Sequence, residues 1–403
     1  MVQHTRLENG LALLLEPVPS SALVCFELLV PLGSVNEPIA GCSSVQEEWL
    51  GRGAAGKSAK EIEDAWDERG ILRSSEVGLE SLELSVTCLA QDADYALGLL
   101  ADWVLRPNFC TQDFPPALEL AKAALESLED TPDEILVQRL WDSAFQSPHR
   151  RSPYGNREGF AALQPEQVRQ DYFRRATPQG SILAASGALR WEDFFRLAQT
   201  RFRAWRGKAP ELHEVVWNPA RSVFEPRDTA QTQIGMIMPI MPYMAEGYFA
   251  SRFALEVLGG GNSSRLFYEV REKRGLVYGI HASNSFMRGA GTLDIFASCT
   301  PSHTRETLHV IYSELERWKA GISQAEFERA KVCIESNLAL SSESVGARAA
   351  ALMRDQHLLE RARSQSEVEQ GLAHIRLDDV NAWLAALDLN RLHTCVLGVE
   401  VAL

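Results

Sequence analysis

The N-terminal stretch MVQHTRLENGLALLLEPVPS mixes polar and apolar positions on either side of Asn9-Gly10. Asn-Gly favours the tight turn between antiparallel strands, so the chain is predicted to open with a strand, a turn and a second strand. Further along, the patterning repeats. Residues 79–128, LESLELSVTCLAQDADYALGLLADWVLRPNFCTQDFPPALELAKAALESL, give an alternating strand that ends near Cys88, then a polar turn and an amphipathic helix. A short acidic connection leads to a second helix. Residues 290–338, AGTLDIFASCTPSHTRETLHVIYSELERWKAGISQAEFERAKVCIESNL, follow the same plan around Cys299. AKAALES at 121–127 corresponds to AKVCIES at 330–336, and SAKEIEDAWDERG at 58–70 to SSRLFYEVREKRG at 263–275.

The offsets are 205 residues for one pair and 209 to 211 for the other, so two half-chains share one plan. Residues 206–220, RGKAPELHEVVWNPA, carry Gly, two Pro and mixed charge and read as a linker. The division is therefore 1–205, a linker at 206–220, and 221–403. Within each half, strand pairs flank a helix and further helices follow. That order predicts an α+β fold: two homologous sandwiches, each a mostly antiparallel sheet covered by helices on one face. No strand leads straight into G-x-G-x-x-G, which argues against a doubly wound sheet.

Composition narrows the function classes. The chain has 403 residues, 45% hydrophobic and 23% charged, with formal net charge −14. That acidity disfavours nucleic acid and anionic membrane as partners. No basic segment precedes an unbroken apolar run at the N-terminus, and no apolar run reaches the ~18 residues of a membrane span. The seven cysteines are scattered and never in C-x-x-C spacing, as expected of reduced, buried thiols in a cytoplasmic protein.

Two stretches carry candidate chemistry. Residues 258–280 read LGGGNSSRLFYEVREKRGLVYGI. Gly259, Gly260 and Gly261 permit a sharp turn or a close backbone approach. Ser263 and Ser264 are candidate caps for a helix of roughly three turns that Gly275 ends. Residues 41–53 read GCSSVQEEWLGRG, with the acidic pair Glu47-Glu48. A zinc site on a helix pairs ligands at i and i+4, and no two of the nine histidines are four apart.

These pieces in this order resemble the pitrilysin and mitochondrial-processing-peptidase family of zinc peptidases, the inverzincins. The resemblance runs from LENGLALLLEPVP through VPLGSVNEP at 30–38 to SSRLFYEVREKRGLVYG, and covers nearly the whole chain. In that family the stretch after GSxNEP reads roughly G-L-A-H-F-L-E-H-M-L-F-K-G, with H-x-x-E-H supplying two zinc histidines and a general base. Here Ser44 stands at the first histidine and Glu48 at the second, and only Glu47, at the position of the base, is kept. The third ligand position falls on Glu126 or Ser127; Glu119 and Glu126 satisfy the family's Glu-x6-Glu spacing, whereas the apolar register favours Ser127. A carboxylate-only site of Glu47, Glu48 and Glu126 would suit Mg²⁺, Ca²⁺ or Mn²⁺ better than zinc.

The resemblance further implies that Arg271 and Tyr278 contact bound peptide across a chamber, and that Gly259 to Gly261 help recognise substrate. Heterodimeric members pair a zinc-bearing subunit with a zinc-free one. The expectation is then a non-catalytic subunit without a cofactor of its own, offering Arg271 and Tyr278 to a homologous partner that holds zinc in H-x-x-E-H. Unfolded or short peptides are the expected substrates. The alternative is a homodimer that binds peptides or scaffolds a complex without hydrolysis.

Overall fold

A computed structural model of the chain describes residues 2–399. Contacts divide it into two units that are discontinuous in sequence. The first takes the chain up to Ser127, Arg151–His213 and Ser341–Ser364; the second takes Leu128–Arg150, Glu214–Leu340 and the chain from Gln365.

The strands are β1 (Gln3–Arg6), β2 (Ala12–Pro17), β3 (Leu23–Val30), β4 (Gly53–Ala54), β5 (Lys57–Ser58), β6 (Leu72–Val77), β7 (Leu82–Leu89), β8 (Ile182–Gly187), β9 (Ser222–Pro226), β10 (Thr232–Ile240), β11 (Val277–Met287), β12 (Ala290–Cys299) and β13 (His393–Gly398). The first unit's sheet runs β1-β2-β8-β3-β7-β6 and the second unit's β11-β12-β10-β13-β9. Without β1 the orders match strand for strand. The single parallel pair of each sheet, β2 with β8 and β9 with β13, occupies the same place. The repeat seen in the sequence is thus a repeat of topology. Gly10 turns between β1 and β2 at φ +96°, as Asn-Gly predicts.

The helices that concern the sites are α1 (Cys42–Leu50), α2 (Ala59–Asp67), α3 (Ala93–Leu105), α4 (Phe114–Glu129), α5 (Pro132–Ala144), α6 (Arg157–Ala162), α7 (Pro165–Arg175), α8 (Trp191–Phe202), α9 (Tyr248–Gly259), α10 (Thr304–Lys319), α11 (Gln324–Ser342) and α12 (Val345–Leu359). Alternation decides which sheet face each strand residue meets. Val24, Phe26 and Leu28 of β3 join Leu84 and Val86 of β7 in a core closed by α1, α2, α3 and α8. Ser58 and Glu61 form a capping box that starts α2. Trp49, Trp66 and Trp103 are buried in this core, and Trp141 packs on Phe145 in the second unit.

The other face of each sheet carries one helix, beyond the one-sided cover expected. In the first unit, Leu352 and Met353 of α12 pack with Ala12, Leu14, Leu29, Ile182 and Ala184. In the second, α5 lies on β10 and β13, and Leu136 and Leu140 press on Gly235. Each half of the sequence therefore gives one helix to the other half's sheet.

Five cysteines are buried; Cys110 and Cys333 are exposed, which the expectation of uniformly buried thiols missed. Among the described residues, no helix is long and apolar enough to cross a membrane.

Candidate functional site

Helix α1 is held rigidly from behind. Gly41 starts it at φ +85°, and a Cβ there would come within 2.4 Å of the Phe160 ring. The Glu37 carboxylate accepts the backbone N–H groups of Gly41 and Ser43, both at 3.0 Å. Burial pushes Glu37 up to about 7, against the opposing pull of those amides and of Arg175 and Arg151. The buried Arg175 donates to Asp171 (2.8 Å), Ser43 Oγ (3.1 Å), Gln46 Oε1 (3.0 Å) and the Gly33 carbonyl (3.1 Å). Gln46 Nε2 donates in turn to Asp171 (2.9 Å) and the Val168 carbonyl (3.0 Å). Each of the three guanidinium nitrogens finds an acceptor, which is what makes a buried guanidinium tolerable.

Cys42, Ser43, Val45, Gln46, Trp49 and Leu50 form the buried face of α1; Ser44, Glu47 and Glu48 share the more open one. That is the i, i+3, i+4 face on which the family motif sets its ligands and base. Glu47 is engaged: Oε1 accepts from Ser75 Oγ (2.8 Å) and Oε2 from the Val77 N–H (3.2 Å). Burial raises its pKa, the two donors lower it, and Glu48 and Glu76 raise it further. Glu48 is raised by burial and lowered by Arg52. On α4, Glu119 pairs with Lys122 at 2.8 Å, and Glu126 and Ser127 are both exposed.

This donor set does not fit zinc. The face offers one hydroxyl and two carboxylates, no imidazole, and one carboxylate is bound to a neighbouring strand. Among the described residues, no three His, Cys, Asp or Glu gather in a way that could hold a metal ion.

In the second unit the predicted three-turn helix is instead, over Phe267–Glu272, one wide π-helical turn. The Lys273 N–H reaches back five residues to Tyr268 O at 2.8 Å. Such turns are rare and recur at functional sites. Here the Glu269 carboxylate gathers Lys273 Nζ (3.0 Å) and Arg274 Nη1 (2.5 Å), while the same Arg274 nitrogen donates to Glu269 O (2.7 Å). Gly275 ends the turn at φ +63°, as expected. The serine caps fail: Ser264 is buried and its Oγ has no hydrogen-bond partner. Arg271 leaves this turn exposed, its guanidinium 5.0 Å from the Phe267 ring centre.

Tyr278 follows at the start of β11, in a β-bulge. Val277 opposes Cys299 and Gly279 opposes Ser298, so Tyr278 has no partner. Val277 and Ile280 are both buried, three residues apart rather than two. The bulge shifts the strand's alternation by one and turns Tyr278 out, 56% exposed. Among the described residues, neither the Arg271 guanidinium nor the Tyr278 hydroxyl has a hydrogen bond or ion pair.

The three glycines play different parts. A Cβ on Gly259 would stand 2.5 Å from Ala282 N, so this glycine lets α9 close on β11. One on Gly260 would meet the Glu256 carboxylate, and one on Gly261 would meet nothing within 4 Å. None of the three has a positive φ; close approach, not a sharp turn, is what the run provides. Neither the π turn, the bulge nor the Ser75 and Val77 contacts had a signal in the sequence.

Comparisons with known proteins agree with the fold. The family model described as Insulinase (Peptidase family M16) matches residues 13–156, and that described as Peptidase M16 inactive domain matches residues 162–332. An uncharacterized zinc protease of Mycobacterium tuberculosis is 26% identical over 406 residues, covering 98% of this chain and 93% of the relative. One of Bacillus subtilis is 24% identical over 387 residues, covering 94% of each. The crystal structure of a peptidase M16 inactive domain from Pseudomonas fluorescens superposes with TM-score 0.91 at 20% identity, covering 100% of this chain and 99% of that one. A protease from Helicobacter pylori superposes with TM-score 0.91 at 17% identity, covering 99% of each. The fold, the paired halves and both family matches make this chain a member of the M16 peptidase family, one whose first half lacks both motif histidines.

Proposed function

We propose that this chain is the non-catalytic subunit of a two-chain M16 peptidase. The observation behind the reading is a contrast. Helix α1 presents Ser44, Glu47 and Glu48 without an imidazole, whereas Arg271 and Tyr278 stand exposed and, among the described residues, their polar ends have no hydrogen bond or ion pair. A homologous partner carrying H-x-x-E-H completes the enzyme. Zinc, held in that partner, supplies an activated water when bound. From this chain, the planar Arg271 fork holds a carbonyl or carboxylate of the peptide. The Tyr278 hydroxyl donates to the oxyanion that develops as the peptide bond is attacked, a contribution on the order of 10²–10³ in rate for one well-placed donor. Gly261, with open space where a side chain would be, admits peptide backbone. The substrates are unfolded or short peptides.

The test is peptidase activity and metal content on an unstructured basic peptide, for this chain alone and mixed with a homologous H-x-x-E-H chain. The expected result is no activity alone and cleavage by the mixture well above the partner's own rate. Arg271→Ala and Tyr278→Phe should each slow the mixture by tenfold or more, on the order of one lost donor. Cleavage by this chain alone with bound metal would overturn the reading. A complex that forms without any gain in rate would favour a peptide-binding or scaffold role instead.

A further inference from the structure

The residue at the position of the family's general base is engaged with a strand. Strand β6 is one edge of the first unit's sheet, paired only with β7 among the described residues, and its sequence, LRSSEV, is weakly strand-forming. The Gly78 N–H bonds Ser81 O at 2.8 Å, which makes Gly78 and Ser81 a hydrogen-bonded pair of the β6–β7 hairpin. The next pair, Val77 with Leu82, is then a non-hydrogen-bonded one, and the Val77 N–H points away from β7, out of the sheet's edge. The Glu47 carboxylate meets that N–H at 3.2 Å and the Ser75 hydroxyl, two residues back, at 2.8 Å. One side chain thus ties α1 to two points on the edge strand, a backbone amide and a side-chain hydroxyl. Open strand edges invite unwanted pairing and are commonly closed by covering elements.

We infer that Glu47 is a strand clamp: a positioning residue that fixes the end of β6 against α1 and occupies the outward amide of Val77. With the histidines gone, a carboxylate is retained on the former metal face because the edge needs an acceptor there. The two oxygens face strand donors, an arrangement suited to holding backbone and not to drawing a proton from water.

Backbone amide exchange of Val77, measured on this chain alone, tests the clamp independently of the two-subunit reading. Glu47→Ala should speed Val77 exchange by roughly tenfold, the scale of one lost hydrogen bond to a charged acceptor, while central β3 and β8 amides keep their rates. Glu47→Gln retains a carbonyl oxygen for Val77 and an amide for Ser75, so it should stay within about threefold of wild type. Unchanged Val77 exchange in Glu47→Ala, or an equal rise in both variants, would overturn the inference. If Glu47→Ala does not fold, Ser75→Ala decides: loss of one of the two anchors should speed Val77 exchange by a few-fold, and no change would overturn the clamp.

Discussion

The Glu326 carboxylate grips the Arg265 guanidinium with both oxygens, Oε1 to Nε at 2.7 Å and Oε2 to Nη2 at 3.0 Å. Arg265 begins the segment that leads into the π turn, and Glu326 lies in the first turn of α11, where it also accepts the Ser323 N–H. Burial would push Glu326 up, but Arg265 and Ser323 outweigh it and bring the carboxyl down to about 2. A depressed carboxyl stabilises the fold above its unfolded value of 4.5, and that stabilisation is lost as pH falls toward 2. Arg265→Ala should cost the second unit about 2 kcal/mol at pH 7 and flatten its stability between pH 4.5 and 2. Urea unfolding across that range would check both.

Asp294 behaves in the opposite sense. It is 4% exposed, accepts from Thr292 Oγ1 at 2.6 Å, and has no ion pair among the described residues. Burial raises it to about 6, with Thr292 and Ser285 opposing. A raised carboxyl favours the folded state when protonated, so stability should fall as pH climbs from about 4 to 6 and stay low above. Asp294→Asn keeps an acceptor for Thr292 and should remove that slope. A gain of about 1–3 kcal/mol at pH 8, read from denaturant midpoints, is expected.

The glycine run offers an internal control. Gly259→Ala forces a methyl to within 2.5 Å of the Ala282 backbone and should destabilise the second unit by about 2 kcal/mol. Gly261→Ala meets nothing within 4 Å and should leave thermal stability within about 0.5 kcal/mol of wild type. Equal effects would mean that α9 and β11 are not packed as closely as described.

Arg271→Ala and Tyr278→Phe alter exposed groups that make no hydrogen bond or ion pair among the described residues. Each should shift stability by no more than about 0.5 kcal/mol in thermal melts. Loss of activity in the mixed assay would then reflect the chemistry of the removed group and not unfolding.

The exchanged helices set a requirement on the whole chain. A fragment ending at 205 holds α5, with Leu136 and Leu140 lacking the strand surface they cover, and lacks the α12 that covers Leu14 and Leu29. Fragments 1–205 and 221–403 should each be poorly folded alone by circular dichroism and recover structure when co-expressed. Leu352→Ala in the full chain should cost the first unit about 2–5 kcal/mol, the range for a buried leucine.

Whatever is local or self-similar can be read directly from the order of residues. Alternation along LELSVTCL and the Asn9-Gly10 turn gave strands because period-2 patterning and turn chemistry act within a few residues. The match of SAKEIEDAWDERG with SSRLFYEVREKRG shows the doubled architecture, and the absence of histidine at Ser44 and Glu48 is legible in the residues alone. The remaining features follow from packing between distant elements. A 3.6-residue period shows that α5 and α12 each bury an apolar face, but not that each covers the sheet of the opposite half. Tyr278 reads as one more strand residue until pairing with β12 leaves it without a partner. Glu47 reads as an orphaned base until β6, nearly thirty residues on, brings Ser75 and Val77 to its two oxygens. Contacts between distant segments depend on how whole elements pack, and no single stretch of residues encodes them.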